Sequence, residues 1–219
     1  MLVAIPTAIP LEPLINKFGK AAGKITGSLR EESKYFRQNG EIYEKLNDFD
    51  TALLNYRKAL ALEESFKARY FIIDTLIRLK KYDETIDFTN KTLGIYPSVS
   101  WLYNKIGDAY SEKGDYWAAI ENYKKCLQKE PANYEAHFSI ALSFLRLKKW
   151  DDSAYWWKKT IEVNPNESAS FFNLGLVYYS KSQFHNAKNS FEKYLVANPD
   201  DEDGKVWLEK CRQQIEKTP

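Results

Sequence analysis

The chain has 219 residues, of which 44% are hydrophobic, 15% aromatic and 28% charged, enough apolar material for an extended core and enough to exclude disorder of the whole chain. Its 32 Lys and Arg nearly balance 30 Asp and Glu, for a net charge of +2, so no strong positive field steers it toward nucleic acid. Cys126 and Cys211 are the only cysteines; they form neither a disulfide framework nor a metal-ligand spacing, and a reducing compartment is the simpler reading.

Residues 1–32 form an N-terminal segment. Pro6, Pro10 and Pro13 interrupt its start, which has no basic region, and no apolar run in the chain approaches about 18 residues, so neither a signal peptide nor a membrane-spanning helix is expected. The expected address is the cytoplasm, or the periphery of a membrane. Residues 14–29 predict an amphipathic docking helix with Leu14, Ile15, Phe18, Ala22, Ile25 and Leu29 on one face and Lys17, Lys20 and Lys24 opposite. Gly19, Gly23 and Gly27, four apart, make a smooth flank that costs about 2–3 kcal/mol relative to alanines. Something outside the segment must offset that cost, whether a closely packed partner helix, the protein's own groove or an anionic membrane surface; the alternative is a frayed linker that merely leads into the array. The glycine flank favours another protein chain, because a lipid surface has no use for it.

Residues 33–201 read as five helix pairs, at 33–65, 66–99, 100–133, 134–167 and 168–201. Pro97, Pro131, Pro165 and Pro199 follow one another at 34-residue intervals, each expected just past a second helix that it cannot continue. Aromatic residues assigned to the turn within each pair, Phe49, Tyr82, Tyr116, Trp150 and Phe184, keep spacings of 33, 34, 34 and 34. Within the last pair stand Phe171, Leu174, Gly175 and Tyr178, then Ala187 and Phe191; the third pair carries Tyr103, Ile106, Gly107 and Tyr110, then Ala119 and Tyr123. The first pair is one residue short but keeps Phe36, Gly40, Tyr43, Ala52 and Tyr56. Small residues at Gly40, Gly107, Ala141 and Gly175 are expected where paired helices approach closely. Residues 202–219 predict a capping helix and tail, with Val206, Trp207, Leu208, Cys211 and Ile215 on the covered side.

This order of aromatic, Leu-Gly, Tyr, Ala, Phe and Pro resembles the tetratricopeptide (TPR) repeat. The resemblance covers residues 33–201 and implies an all-α fold: a right-handed α-solenoid of helix-turn-helix repeats, closed by the C-terminal helix. It further implies a non-enzymatic scaffold or adaptor that binds a polypeptide in a concave groove and helps assemble or localise a multiprotein complex. A peripheral membrane-associated assembly factor anchored by the N-terminal helix is the alternative, and self-association stays open.

No catalytic residue, metal ligand or cofactor site is expected. His137 and His185 have no partner at metal-binding spacing, Cys126 occupies a place where a small core residue is wanted, and no phosphate loop, nucleophile elbow or zinc helix occurs. The informative residues lie beside the core stripe of each first helix, where TPR arrays line the groove. They read Lys34, Arg37 and Glu41; Lys67, Tyr70 and Asp74; Trp101, Asn104 and Asp108; then, with a change of character, Phe138, Leu142 and Leu145, and Phe172, Leu176 and Tyr179. Trp101, Asn104 and the six apolar residues are the candidate peptide-binding groove, against the alternative that they pack between repeats. Co-chaperones of this family that bind acidic chaperone C-termini use Lys and Asn, then Asn, then Lys and Arg on successive first helices. The nearest places here hold Arg37 and Glu41, Phe71, and Trp101 and Lys105, so that role is not expected.

Overall fold

A computed structural model describes the backbone of residues 11–217 and the side chains from residue 27 onward. Among these residues every regular element is an α-helix: α1 (Leu11–Lys45), α2 (Phe49–Leu62), α3 (Phe66–Arg78), α4 (Tyr82–Ile95), α5 (Ser100–Glu112), α6 (Tyr116–Lys129), α7 (Tyr134–Arg146), α8 (Trp150–Val163), α9 (Ser168–Ser180), α10 (Phe184–Ala197) and α11 (Glu202–Lys217). From α3 to α10, first helices of 13 residues alternate with second helices of 14. Each proline of the 34-residue series falls two residues beyond a second helix, where the missing N–H and fixed φ stop it.

The turns within pairs repeat as well. Asn47, Lys80, Gly114, Lys148 and Ser182 all have φ between 55° and 81°, the left-handed conformation that commonly closes a helix. Around four of them the chain doubles back through 6→1 bonds, from Asp48 N to Tyr43 O, Asp115 N to Tyr110 O, Lys149 N to Phe144 O and Gln183 N to Tyr178 O. The aromatics assigned to these turns are instead the first residues of the second helices. For Phe49 and Tyr116 the reason is the residue before them: Asp48 and Asp115 are the N-caps, accepting from Thr51 N and Ala118 N at 3.1 Å.

The chain divides into two compact units, residues 1–80 and 81–219. In the first, α2 packs on both α1 and α3. α1 runs without interruption through residue 32, so residues 11–32 and the first helix of the array are one helix. No proline or left-handed residue intervenes to end it, and the stretch from Arg30 to Lys34 is made mostly of good helix formers. Ser33 donates to Ala59 O at 3.0 Å and Tyr56 donates to Glu44 Oε2 at 2.7 Å, fixing α1 on α2.

In the second unit each helix packs on the next from α4 to α11, and α5 also touches α7. Its core includes clusters around Tyr123 and Ile140, around Trp157 and Leu174, and around Phe191 and Leu208. The small-residue prediction has a direct cause. A Cβ on Gly107 would stand 2.5 Å from Cε1 of Tyr123, and one on Gly175 would stand 2.8 Å from Cε1 of Phe191, so only glycine lets those rings lie against the first helix. α11 buries Leu208 and Cys211 against Phe191, with Trp207 half-buried beside them. Val206, expected on the covered side, is 48% exposed; Gly204 is buried in its stead, against Leu195 and Tyr194.

Candidate functional site

The eight candidate groove residues all lie in the second unit, on α5, α7 and α9. Trp101 is half-buried, with the Lys105 ammonium 5.6 Å from its ring centroid. Asn104 is buried and donates at 3.1 Å to Asn133 Oδ1, which also caps α7 through Ala136 N at 2.9 Å. Glu130 completes this junction, accepting from Ser100 Oγ at 2.7 Å and Asn133 Nδ2 at 3.0 Å. Those two bonds hold its carboxyl below the usual carboxylate range. Asn104 is thus part of the framework between α5 and α7, a role that its place in the stripe did not disclose.

The six apolar candidates are half-buried. Phe138, Leu142 and Leu145 pack on the Trp157 cluster, with Phe138 edge-on to Trp157 at 4.8 Å between centroids. Phe172, Leu176 and Tyr179 pack on the Phe191 cluster; Phe172 lies 4.9 Å from Tyr194, and Tyr179 lies 5.1 Å from Trp207. Each side chain therefore carries two loads, since its inner part supports the core while its remaining surface stays open.

Beside Phe138 lies an opening of about 300 Å³, lined by Tyr134, Glu135, Phe138, Ser139, Glu167 and Ala169. It lies between the starts of two successive first helices, α7 and α9. Glu167 is held there by accepting from Ala169 N at 3.2 Å as the N-cap of α9. Burial raises the Tyr134 phenol above its ordinary value. Of these six residues only Phe138 belongs to the apolar stripe; Tyr134, Glu135, Glu167 and Ala169 fall at helix starts, and Ser139 is a polar neighbour of Phe138 within α7.

Several other first-helix residues are engaged with neighbours in their own unit. Phe71 stacks on Tyr56 at 4.8 Å, Lys67 pairs with Glu41 at 4.0 Å, and Lys105 pairs with Asp108 at 3.1 Å. Both cysteines are buried free thiols, and burial is the first cause pushing each up to about 11. His137 is buried with Nε2 2.9 Å from Pro131 O, which can only accept, so Nε2 carries the proton. Among the described residues no group of three His, Cys, Asp or Glu is arranged to hold a metal, and no helix is long and apolar enough to cross a membrane. Of the N-terminal docking residues, Ile15, Phe18, Gly19, Gly23 and Ile25 lie outside the described side chains. Gly27 is described, and a Cβ there would meet open space.

A family model described as Tetratricopeptide repeat matches residues 37–100, another of the same description matches 168–201, and one described as TPR repeat matches 107–148. The chain belongs to the tetratricopeptide-repeat family. The Protein SGT1 homolog of Bos taurus is 27% identical to this TPR chain over 120 residues, covering 55% of it and 35% of the relative. Heat shock protein STI1 of Saccharomyces cerevisiae is 24% identical over 175 residues, covering 77% of this chain and 28% of STI1. The chain thus spans about a third of the length of these relatives. The crystal structure of MamA superposes with a TM-score of 0.68 at 19% identity, covering 77% of this chain and 93% of that one, a likeness of fold.

Proposed function

We propose that this TPR protein is a non-enzymatic interaction scaffold that holds a polypeptide segment against its first helices, on the side of α5, α7 and α9. The observation that carries the reading is the opening between α7 and α9. There Phe138 and Ala169 offer apolar surface beside two carboxylates, Glu135 and Glu167, the mixture of apolar wall and a few polar groups that polypeptide sites use. The half-buried stripe from Phe138 to Tyr179 continues that surface along both helices. Such a scaffold serves assembly or localisation of a multiprotein complex, with the chemistry left to what it brings together. The relatives named SGT1 homolog and STI1 share the repeat over part of their length and are consistent with an adaptor.

The test is capture of partners on immobilised wild-type protein beside Glu135→Arg with Ser139→Arg, read by mass spectrometry. These residues line the opening at its polar side, so the variant keeps its fold by circular dichroism while the opening is blocked and its charge reversed. Partners retained by the wild type and lost by the variant support the reading; an unchanged set of partners on a folded variant contradicts it.

A further inference from the structure

A second opening lies in the same unit. About 390 Å³ in volume, it runs between α8, α9 and α10 over a floor of Ile161, Phe171, Leu174 and Tyr178, with Lys158 and Lys193 at its rim. Its origin can be read by stepping back 34 residues along the chain. There Phe171, Leu174 and Tyr178 correspond to His137, Ile140 and Phe144, which make the same kind of floor. In that earlier repeat the space above is occupied, because Trp156 packs on the Ile140 and Phe144 cluster with its ring 5.5 Å from His137. The counterpart of Trp156 is Ser190, whose hydroxyl turns back to donate to Asn186 O at 3.0 Å. The last repeat therefore keeps the walls of an indole site and lacks the indole.

Charge says what company that missing ring keeps. The Lys158 ammonium stands 5.8 Å from the centroid of Tyr178, and that of Lys193 stands 5.6 Å from the centroid of Phe171, both within cation–π reach. Neither has a carboxylate within ion-pair distance among the described residues, whereas the one acid of the lining, Glu162, is paired with Lys159 at 2.6 Å. Two unpaired ammonium groups above an apolar floor favour a ligand that brings anions with it.

We propose that the opening between α8, α9 and α10 is a second docking site, taking from a partner polypeptide an aromatic side chain of indole size flanked by carboxylates. The ring takes the place that Trp156 fills one repeat earlier, and the flanking carboxylates reach Lys158 and Lys193. Nucleic acid is the less fitting occupant. Two rim lysines beside a glutamate, in a chain of net charge +2, make too weak a field to hold a phosphate backbone.

The experiment uses the full chain and a fluorescein-labelled peptide Asp-Glu-Asp-Trp-Leu-Asp-Glu, with binding followed by anisotropy. The expected result is saturable binding that weakens by about tenfold or more when the peptide's Trp becomes Ala, the loss typical of a buried aromatic anchor. Ser190→Trp closes the site from within, as Trp156 does, and abolishes binding. Lys158→Gln with Lys193→Gln, both at exposed positions, weakens it by a similar factor and keeps the test decisive if Ser190→Trp does not fold. Glu135→Arg with Ser139→Arg leaves this binding unchanged, which separates it from the surface proposed above. The proposal is overturned if the wild type does not bind the peptide. Equal binding by folded Ser190→Trp, equal binding by the lysine variant, or equal binding of a Lys-for-acid peptide or of oligo-dT would overturn it as well.

Discussion

Replacing Gly107 by Ala places a methyl group 2.5, 2.7 and 2.9 Å from Cε1, Cδ1 and Cζ of Tyr123, where ordinary carbon contacts begin near about 3.5 Å. The ring must retreat by roughly 1 Å. It has nowhere to go: Tyr123 is buried in the cluster with Ile120 and Cys126, and its hydroxyl donates to Asp108 Oδ1 at 3.0 Å. Overpacking a fixed core costs about 1–3 kcal/mol, occasionally more, while Ala in place of Gly in a helix returns about 1 kcal/mol. With a collision this deep against a ring held at both ends, the expected net loss is about 2 kcal/mol. For a chain of this length that is a fall in Tm of about 4–8 °C. Gly27→Ala is the control, since a Cβ there meets nothing within 4 Å, and it should raise stability by about 1 kcal/mol. Circular dichroism melts and urea titrations of both proteins measure the difference. If Gly107→Ala melts at or above the wild type, the close approach of the paired helices does not limit this fold and the reasoning fails.

Other consequences are as direct. Lys148 holds φ at 55°, a conformation that costs a side chain roughly 1 kcal/mol or more, so Lys148→Gly should raise stability by about 0.5–1 kcal/mol in urea titrations. Cys126 and Cys211, pushed up to about 11 chiefly by burial, should resist a thiol reagent at pH 7.5 until the chain unfolds. Because folding favours the protonated thiols, the unfolded chain gives up its protons first. Their contribution is therefore complete below about pH 8.5 and is lost as pH rises toward 11. Tyr56 and Tyr123, raised by burial and by the carboxylates of Glu44 and Asp108, push in the same direction. A urea midpoint that stayed flat from pH 8 to 11 would contradict this. Deleting residues 1–30 should release a protein partner and leave any affinity for anionic liposomes unchanged; the reverse outcome assigns the segment to lipid.

The repeat was legible because it rests on residues with few alternatives. Prolines at 34-residue steps must stop helices, and a glycine opposite a large ring within one helix pair has a packing cause that the structure shows at Gly107 with Tyr123 and Gly175 with Phe191. Features made by what a residue fails to fill were not legible. Ser190 is an ordinary helix residue in sequence, and only the packing of Trp156 one repeat earlier shows that it leaves a space. The apolar stripe on α7 and α9 was legible in composition but not in its double role. Asn104 read as a groove residue because periodicity gives its face and not its partner, Asn133, 29 residues away. The turn aromatics open the second helices instead, and at α2 and α6 an aspartate cap one residue earlier marks where the helix starts.

The central claim, that a polypeptide lies against the first helices, is tested most directly by hydrogen–deuterium exchange on the wild-type protein with and without a captured partner. The account predicts slowed exchange over residues 134–146 and 168–180, strongest near Phe138 and Ala169. Protection confined to the second helices, or absent from α7 and α9 at saturating partner, would contradict it.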